Sequence, residues 1–429
     1  MRFPAALLLS GTLVVPVLSA QKTTVSGYVT RAASRSDFDV NRIRIECNKN
    51  TNSGIIIGDK MLGRPGCPKT DVYVGESARV EGSFDKAQAS ITADTIGFIQ
   101  TPGDELSGSA VIDRVPPSAS SPAAAGELVV RADGYLIHIP GKALIVWGAP
   151  LHSFADVKVG DWIDYEGHQQ PDGTVVAEKV RFAPVVVGKR EEQYRSKSNF
   201  NPSKVPASAK QSGTSMYFLG MNPKRFPPYK DPEMQARIDE IGDKLIPAWQ
   251  RDLIDSDPAK VHFRFQVIST RKFRDALALS SGVILVPQQV VARMQNDSQL
   301  AAVLADNIAV VLERWDFRHL SDARELAAAG YGADAAGFFI PGVVLVDPLL
   351  GVGGYRALMT KQEHQSGRVA LALMRDAGYD IDQAPVAWWL LASKTPKPIS
   401  DIPLPGRAAY LYKILGECWN NPAAVAGQR

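Results

Sequence analysis

The side chains of this 429-residue chain that could do chemistry are few and scattered. Its histidines are His138, His152, His168, His262, His319 and His364. No two of them stand as HxH or HxxxH, the second being the spacing that puts two imidazoles on one helix face. There is no Gly-x-Ser-x-Gly elbow, P-loop or Cys–His nucleophile signature. Asp306 lies in a helix-like run, His319 follows that run by about two turns of helix, and Glu363-His364 adjoins Gln365. A metal site rebuilt from Asp306, His319 and His364 is one reading of these residues. Catalytic zinc needs about three protein ligands. The cluster Gly351–Gly354 reads as a turn between short helices.

Of the three cysteines, Cys47 and Cys67 fall in one small N-terminal module and are expected to form a disulfide. A loop of about 20 residues closed this way stabilises by roughly 3 kcal/mol in the chain-entropy account. Cys418 is left over, either buried as a small hydrophobe or free.

The elements that must position these groups change along the chain. Arg2 precedes the apolar run Ala5–Leu18, which ends in Ser19-Ala20. That is the layout of a secretory signal peptide over residues 1–20, so the mature protein is expected to be exported, periplasmic or secreted. No later segment reads as a membrane span; Pro341, Asp347 and Pro348 interrupt the apolar stretch 337–354. Residues 22–100 alternate with a period of two between Gly and Asp turns, the pattern of a small all-β module. The grammar recurs in a second module over 126–186. Val74-Gly75-Glu76 and Glu81-Gly82 match Val159-Gly160-Asp161 and Glu166-Gly167 at equal spacing, which reads as an internal repeat of OB-like barrels. Linkers are expected over 101–125, with Pro116-Pro117 and Pro122, and over 187–229.

After Tyr229 the period becomes helical. Asp231-Pro232 is an N-cap with a first-turn proline, and strands follow near Val261–Ile268 and Ala276–Val286. The fold class is therefore multidomain: two small all-β modules, then an α+β, mainly helical domain over 230–392 and a C-terminal tail over 393–429. Hydrophobic residues make up 45%, enough for ordinary cores, and the near-neutral net charge of +3 argues against a nucleic-acid platform, which needs a concentrated basic face.

The run Leu300-Ala301-Ala302-Val303-Leu304-Ala305-Asp306-Asn307-Ile308-Ala309 resembles the motif helix of HExxH zinc metallopeptidases of the HtpX/Oma/CAAX-protease type, roughly E-L-A-A-V-L-A-H-E-I-A-H. Upstream, Asp275–Val286 resembles that family's N-A-F-A-L-P-G-G-x-I-x-V strand, whose edge receives substrate peptide; Ala278, Leu279, Gly282 and Val283 occupy it here. Downstream, Gln365–Asp380 resembles E-A-D-R-I-G-L-x-L-M-x-x-A-G-Y-D. The resemblance covers about Pro232–Leu391 and implies a zincin-like domain. It also shows what has changed. Asp306 stands at the first His, Asn307 at the general-base Glu, Val310 at the second His and Gln365 at the third ligand. Valine cannot ligate, and asparagine has no useful basicity.

The resemblance thus implies a non-catalytic descendant with no catalytic residues, metal or cofactor. Its expected role is to bind or scaffold a protein or peptide partner of the cell envelope. An active zinc endopeptidase with an unorthodox site and a purely structural scaffold are the alternatives.

Overall fold

The computed structural model describes residues 22–85, 89–99, 103–116, 127–199, 226–270, 274–318 and 353–422. The signal-peptide reading of residues 1–20, most of the Pro116–Pro122 linker, His319 and the stretch 337–352 lie outside them.

The first sheet contains β1 (Lys22–Ser34), β2 (Asp37–Val40), β3 (Ile43–Glu46), β4 (Asn52–Ile57), β5 (Lys60–Pro65), β6 (Ser77–Asp85) and β7 (Ser90–Ile99). Antiparallel pairs β1–β2, β2–β3, β1–β6 and β6–β7 are closed by the parallel pair β3–β7, so five strands form a barrel. Alternate residues, among them Phe38, Val40, Ile45, Val80, Ile91 and Ile96, point inward and are fully buried. The hairpin β4–β5 joins through β4, parallel to β7. Cys47 and Cys67 flank this hairpin and form the expected disulfide, with Cα atoms 5.4 Å apart.

The second sheet contains β8 (Glu105–Arg114), β9 (Leu128–Ala132), β10 (Tyr135–Ile139), β11 (Leu144–Trp147), β12 (Trp162–Gln169) and β13 (Val175–Ala183). It closes in the same order, with β10 parallel to β13 and β12 antiparallel to both β13 and β8. Strand β8 falls inside the stretch 101–125 read above as linker; its inward Ala110 and Ile112 belong to the barrel core. Gly75 and Gly160 open matching turns at φ 93° and 95°. Each glycine N–H donates to the first strand of its barrel: Gly75 to Val29 and Gly160 to Ile112, both at 2.8 Å. Both barrels bulge at the Glu-Gly pair, Glu81/Gly82 and Glu166/Gly167.

The remainder is a short sheet under helices. It comprises α1 (Lys189–Ser198), α2 (Pro232–Leu245), α3 (Ala248–Arg251), β14 (Arg264–Ile268), β15 (Leu277–Ala278), β16 (Val283–Pro287), α4 (Gln288–Arg293), α5 (Asp297–Leu312), α6 (Trp315–Arg318), α7 (Gly353–Asp376), α8 (Gln383–Ala392) and α9 (Gly406–Ile414). The Asp231 side chain accepts from the Met234 N–H at 3.0 Å, and Pro232 takes the first turn of α2. Asn296 caps α5 through the Gln299 N–H at 2.9 Å. Every residue of α5 from Gln299 to Leu312 is buried. A helix apolar on all sides must be enclosed, and α5 is packed by α2, α7 and α8. One continuous core joins these helices to the second barrel.

The chain then enters a π-helical turn, Leu415–Trp419, lodged between the barrels. The backbones of Gly75 and Gly416 meet with no room for a β-carbon on either, and Gly173 of the second barrel is pressed likewise on Glu417 and Cys418. Cys418 is buried and in no disulfide. Among the described residues no helix is long and apolar enough to cross a membrane.

Candidate functional site

Beyond its first turn, helix α5 carries two polar side chains, Asp306 and Asn307, through an apolar interior. Both are 5% exposed, so each needs a partner. The Asp306 carboxylate accepts from the Ser366 hydroxyl at 2.7 Å and from the Arg407 guanidinium at 2.6 Å. Arg407, at the start of α9, also reaches Asp275 at 3.3 Å and lies 3.3 Å over the centre of the Trp388 ring. Burial opposes the charge on Arg407, but Asp306 and Asp275 outweigh it and hold the guanidinium protonated more firmly than usual. Asn307 donates its amide to the Val303 carbonyl of its own helix at 2.9 Å. Val310 packs in a small apolar cluster with Val261, Ala278, Val311 and Trp315.

Gln365, on α7, donates to the backbone carbonyl of Ser109 in β8 at 2.8 Å. The Asp306–Ser366 bond makes α5 and α7 face each other, bringing Asp306 beside the neighbour of Gln365. Trp315 links the other two positions: it packs on Val310 and lines the same cleft as Gln365. These residues do not fit a zinc ion. The one carboxylate is neutralised by a guanidinium, the valine has no lone pair, and both amides are committed elsewhere.

The segment expected to form a cleft edge is a tight turn between β15 and β16. The Leu279 N–H donates to Val283 at 2.9 Å, and Gly282, at φ 91°, donates to Leu279 at 2.8 Å. Ala278, Leu279, Gly282 and Val283 are all buried. The rebuilt site of Asp306, His319 and His364 has its first member paired with Arg407 and its second outside the described residues. His364 stacks on Tyr410 with ring centres 3.6 Å apart. Burial, aided by Arg368, Lys413 and Arg407, pulls its pKa down to about 4, so the ring is neutral near pH 7. Among the described residues no three His, Cys, Asp or Glu side chains converge on one point.

Beside Gln365 a cleft of about 800 Å³ opens between the second barrel and helices α6 and α7. Its barrel wall includes Ser107–Ser109 and Tyr165, and its helical wall Arg318, Lys361, His364 and Arg368. Ion pairs clamp these walls, Arg114 of β8 with Asp376 of α7 at 2.7 Å among them. Arg368 binds Asp133 at 2.6 Å, and Arg131 binds Asp376, with one contact at 3.1 Å. Just behind the cleft, Glu313 follows the last residue of α5 and is 2% exposed. Its carboxyl accepts the Val111 N–H at 3.1 Å. Burial first, then nearby Asp133, against the pull of Arg318, pushes its pKa up to about 8.

Arg407, the residue that decides the electrostatics of Asp306, lies in the stretch read from the sequence as a tail. A signal was present there: Ala408, Leu411 and Leu415 recur at helical spacing, and all three are buried.

No protein-family model matches the chain. The chain is similar to a protein of Vibrio cholerae serotype O1 named "Putative beta-barrel assembly-enhancing protease", with 24% identity over 196 residues. The match takes in 42% of this chain and 38% of that protein, so the chain spans well under half of its relative. The likeness supports a peptidase-like relationship.

Proposed function

We propose that this protein is an exported, non-catalytic descendant of a zinc metallopeptidase that holds a peptide or protein partner of the cell envelope without cutting it. The observation that carries the reading is the placement of Arg407. In a zincin the metal supplies the positive charge beside the motif helix; here a guanidinium bound to Asp306 and Asp275 supplies it. Val310 and Gln365, at the other ligand positions, are committed to an apolar cluster and to strand β8. The named relative's role in barrel assembly is what suggests an envelope partner. The Cys47–Cys67 disulfide fits an oxidising compartment and so supports export.

The same reading takes residues 22–100 and 126–186 as duplicated OB-like barrels, with β8 added to the second, and residues 230–392 as the zincin-like domain. Support for duplication is the shared strand order, the matched turn glycines and the matched bulges. The test is elemental analysis of purified mature protein with a casein-hydrolysis assay. The expected result is no stoichiometric zinc and no cleavage, with or without chelator. One tightly bound zinc per chain with chelator-sensitive cleavage, abolished by Asp306→Ala, would falsify the reading in favour of an unorthodox protease.

A further inference from the structure

Counted over its described lining residues, the cleft beside Gln365 carries an unbalanced charge. Three of the cationic side chains on its walls are matched: Arg368 by Asp133 at 2.6 Å, Lys179 by Glu166 at 2.8 Å and Arg181 by Asp164 at 3.5 Å. These three are all the carboxylates among its described lining residues. Arg318 and Lys361 remain, with no carboxylate in ion-pair range among the described residues.

Arg318 is held in place rather than neutralised. Its guanidinium donates to the carbonyls of Ser109 at 3.2 Å and Glu313 at 3.4 Å and lies 4.2 Å over the Trp162 ring. Backbone carbonyls and a ring face orient a cation but leave its net charge. Partial burial lowers the Arg318 pKa against the opposing pull of Glu313, Asp164 and Asp133, none of which forms an ion pair with it. Lys361, exposed at the mouth, stands on the α7 face of His364, Gln365 and Arg368, spaced by three, four and seven residues.

The barrel wall adds a second recognition element. Strand β9 meets β8 only at Ile112 and Arg114, so over Glu105–Ser109 the β8 edge away from β12 has no strand against it among the described residues. The Ser109 carbonyl points out along that edge to Gln365 and Arg318. Alternate residues share an edge in an antiparallel strand, so the backbone N–H and C=O of Ser107 face the cleft too.

We propose that this cleft binds an extended acidic peptide segment, with a carboxylate on Arg318, a further carboxylate toward Lys361 and the peptide backbone running along the open edge of β8 at Ser107. The volume of about 800 Å³ falls within the roughly 300–1,000 Å³ of ordinary ligand pockets. The proposal rests on the reading that the protein holds a peptide without cutting it, and it names the chemistry of that peptide.

The test is fluorescence anisotropy of the full mature chain with three labelled peptides of equal length, alternating Val with Glu, Gln or Lys. The Glu peptide is expected to bind about tenfold or more tighter than the Gln peptide, weakening with added salt, while the Lys peptide does not bind. Arg318→Gln should remove most of the preference for Glu over Gln, leaving the part that Lys361 supplies. Arg318→Lys should keep more of it than Arg318→Gln does, and Lys361→Glu, at an exposed site, should weaken the Glu peptide severalfold. Equal affinity for Glu and Gln peptides would sink the charge assignment and leave peptide holding intact. Binding of none of the three would sink both, while the zinc and casein measurements stand independently. Displacement of the Glu peptide by inorganic phosphate but not by free glutamate at equal ionic strength would make the site a phosphate site and overturn the carboxylate assignment.

Discussion

The carboxylate of Asp306 and the guanidinium of Arg407 lie 2.6 Å apart, with only 7% and 14% of their side chains exposed. A pair of this kind is costly to assemble and costlier to break. Removing one partner strands the other charge, typically at about 3–5 kcal/mol. Arg407→Met should therefore lower the urea midpoint of the purified chain strongly, whereas Asp306→Asn combined with Arg407→Met should recover much of that loss. A double variant as unstable as the sum of the singles would show that the two side chains act independently.

The same pair sets a condition on rebuilding a metal site. Asp306→His, Asn307→Glu, Val310→His and Gln365→Glu together restore the ligand types at the matching positions. With Arg407 retained, the imidazole introduced at position 306 faces a fixed cation, and zinc is expected to stay absent. Adding Arg407→Ala removes that competitor and should allow metal uptake, read by elemental analysis after gel filtration. Hydrolysis is not expected to return with it, because the groups that would orient the ligands are not restored. Zinc binding by the fourfold variant with Arg407 intact would contradict the guanidinium's proposed role.

Glu313 gives a pH signature of opposite sign to an ordinary salt-bridged acid. Its pKa is raised from 4.5 to about 8 in the folded chain. Between these values the native state keeps a proton that the unfolded chain gives up. Stability therefore falls as pH rises from about 4.5 through about 8, and the loss levels off beyond it. Glu313→Gln should leave stability near pH 5 little changed and raise it near pH 8 by an amount on the order of a few kcal/mol. Urea unfolding of both proteins at the two pH values checks this; a stability gain over the unsubstituted chain no larger at pH 8 than at pH 5 would refute it.

The disulfide should matter locally. Cys47 and Cys67 are 20 residues apart and enclose the β4–β5 hairpin. Reduction is expected to cost about 3 kcal/mol, and hydrogen exchange should place that loss in the first barrel. Equal deprotection of α5 and α7 on reduction would argue against a local effect.

What could be read in advance follows from which physical signals are local. The two-residue alternation of Phe38-Asp39-Val40 and Ile43-Arg44-Ile45 is set by strand geometry, and those segments are β2 and β3. Asp231-Pro232 is a local cap, and α2 begins there. The disulfide partners shared a module and paired. Less legible was Glu105–Arg114, which adjoins a Pro- and Ser-rich stretch and whose membership of the second barrel depends on pairing with Trp162–His168, more than fifty residues away. Arg407 was invisible for the same reason. Its partners Asp306 and Asp275 are remote in sequence, and only their convergence gives the arginine a role. The resemblance to a zincin singled out positions on α5 and α7 but gave no hint of the arginine that lies beside Asp306.

The contact of Gly75 with Gly416, and of Gly173 with Glu417 and Cys418, has a consequence for the order of events during biosynthesis. Each barrel can close on its own strands as soon as those strands emerge. Neither can reach its final seat until residues 415–419 have been made and brought between them. Arg407, only eight residues before that turn, arrives equally late, so Asp306 must wait without its counter-charge while the rest of the chain assembles. The finished arrangement is therefore locked by a wedge made after both barrels rather than built up in sequence from the first barrel onward.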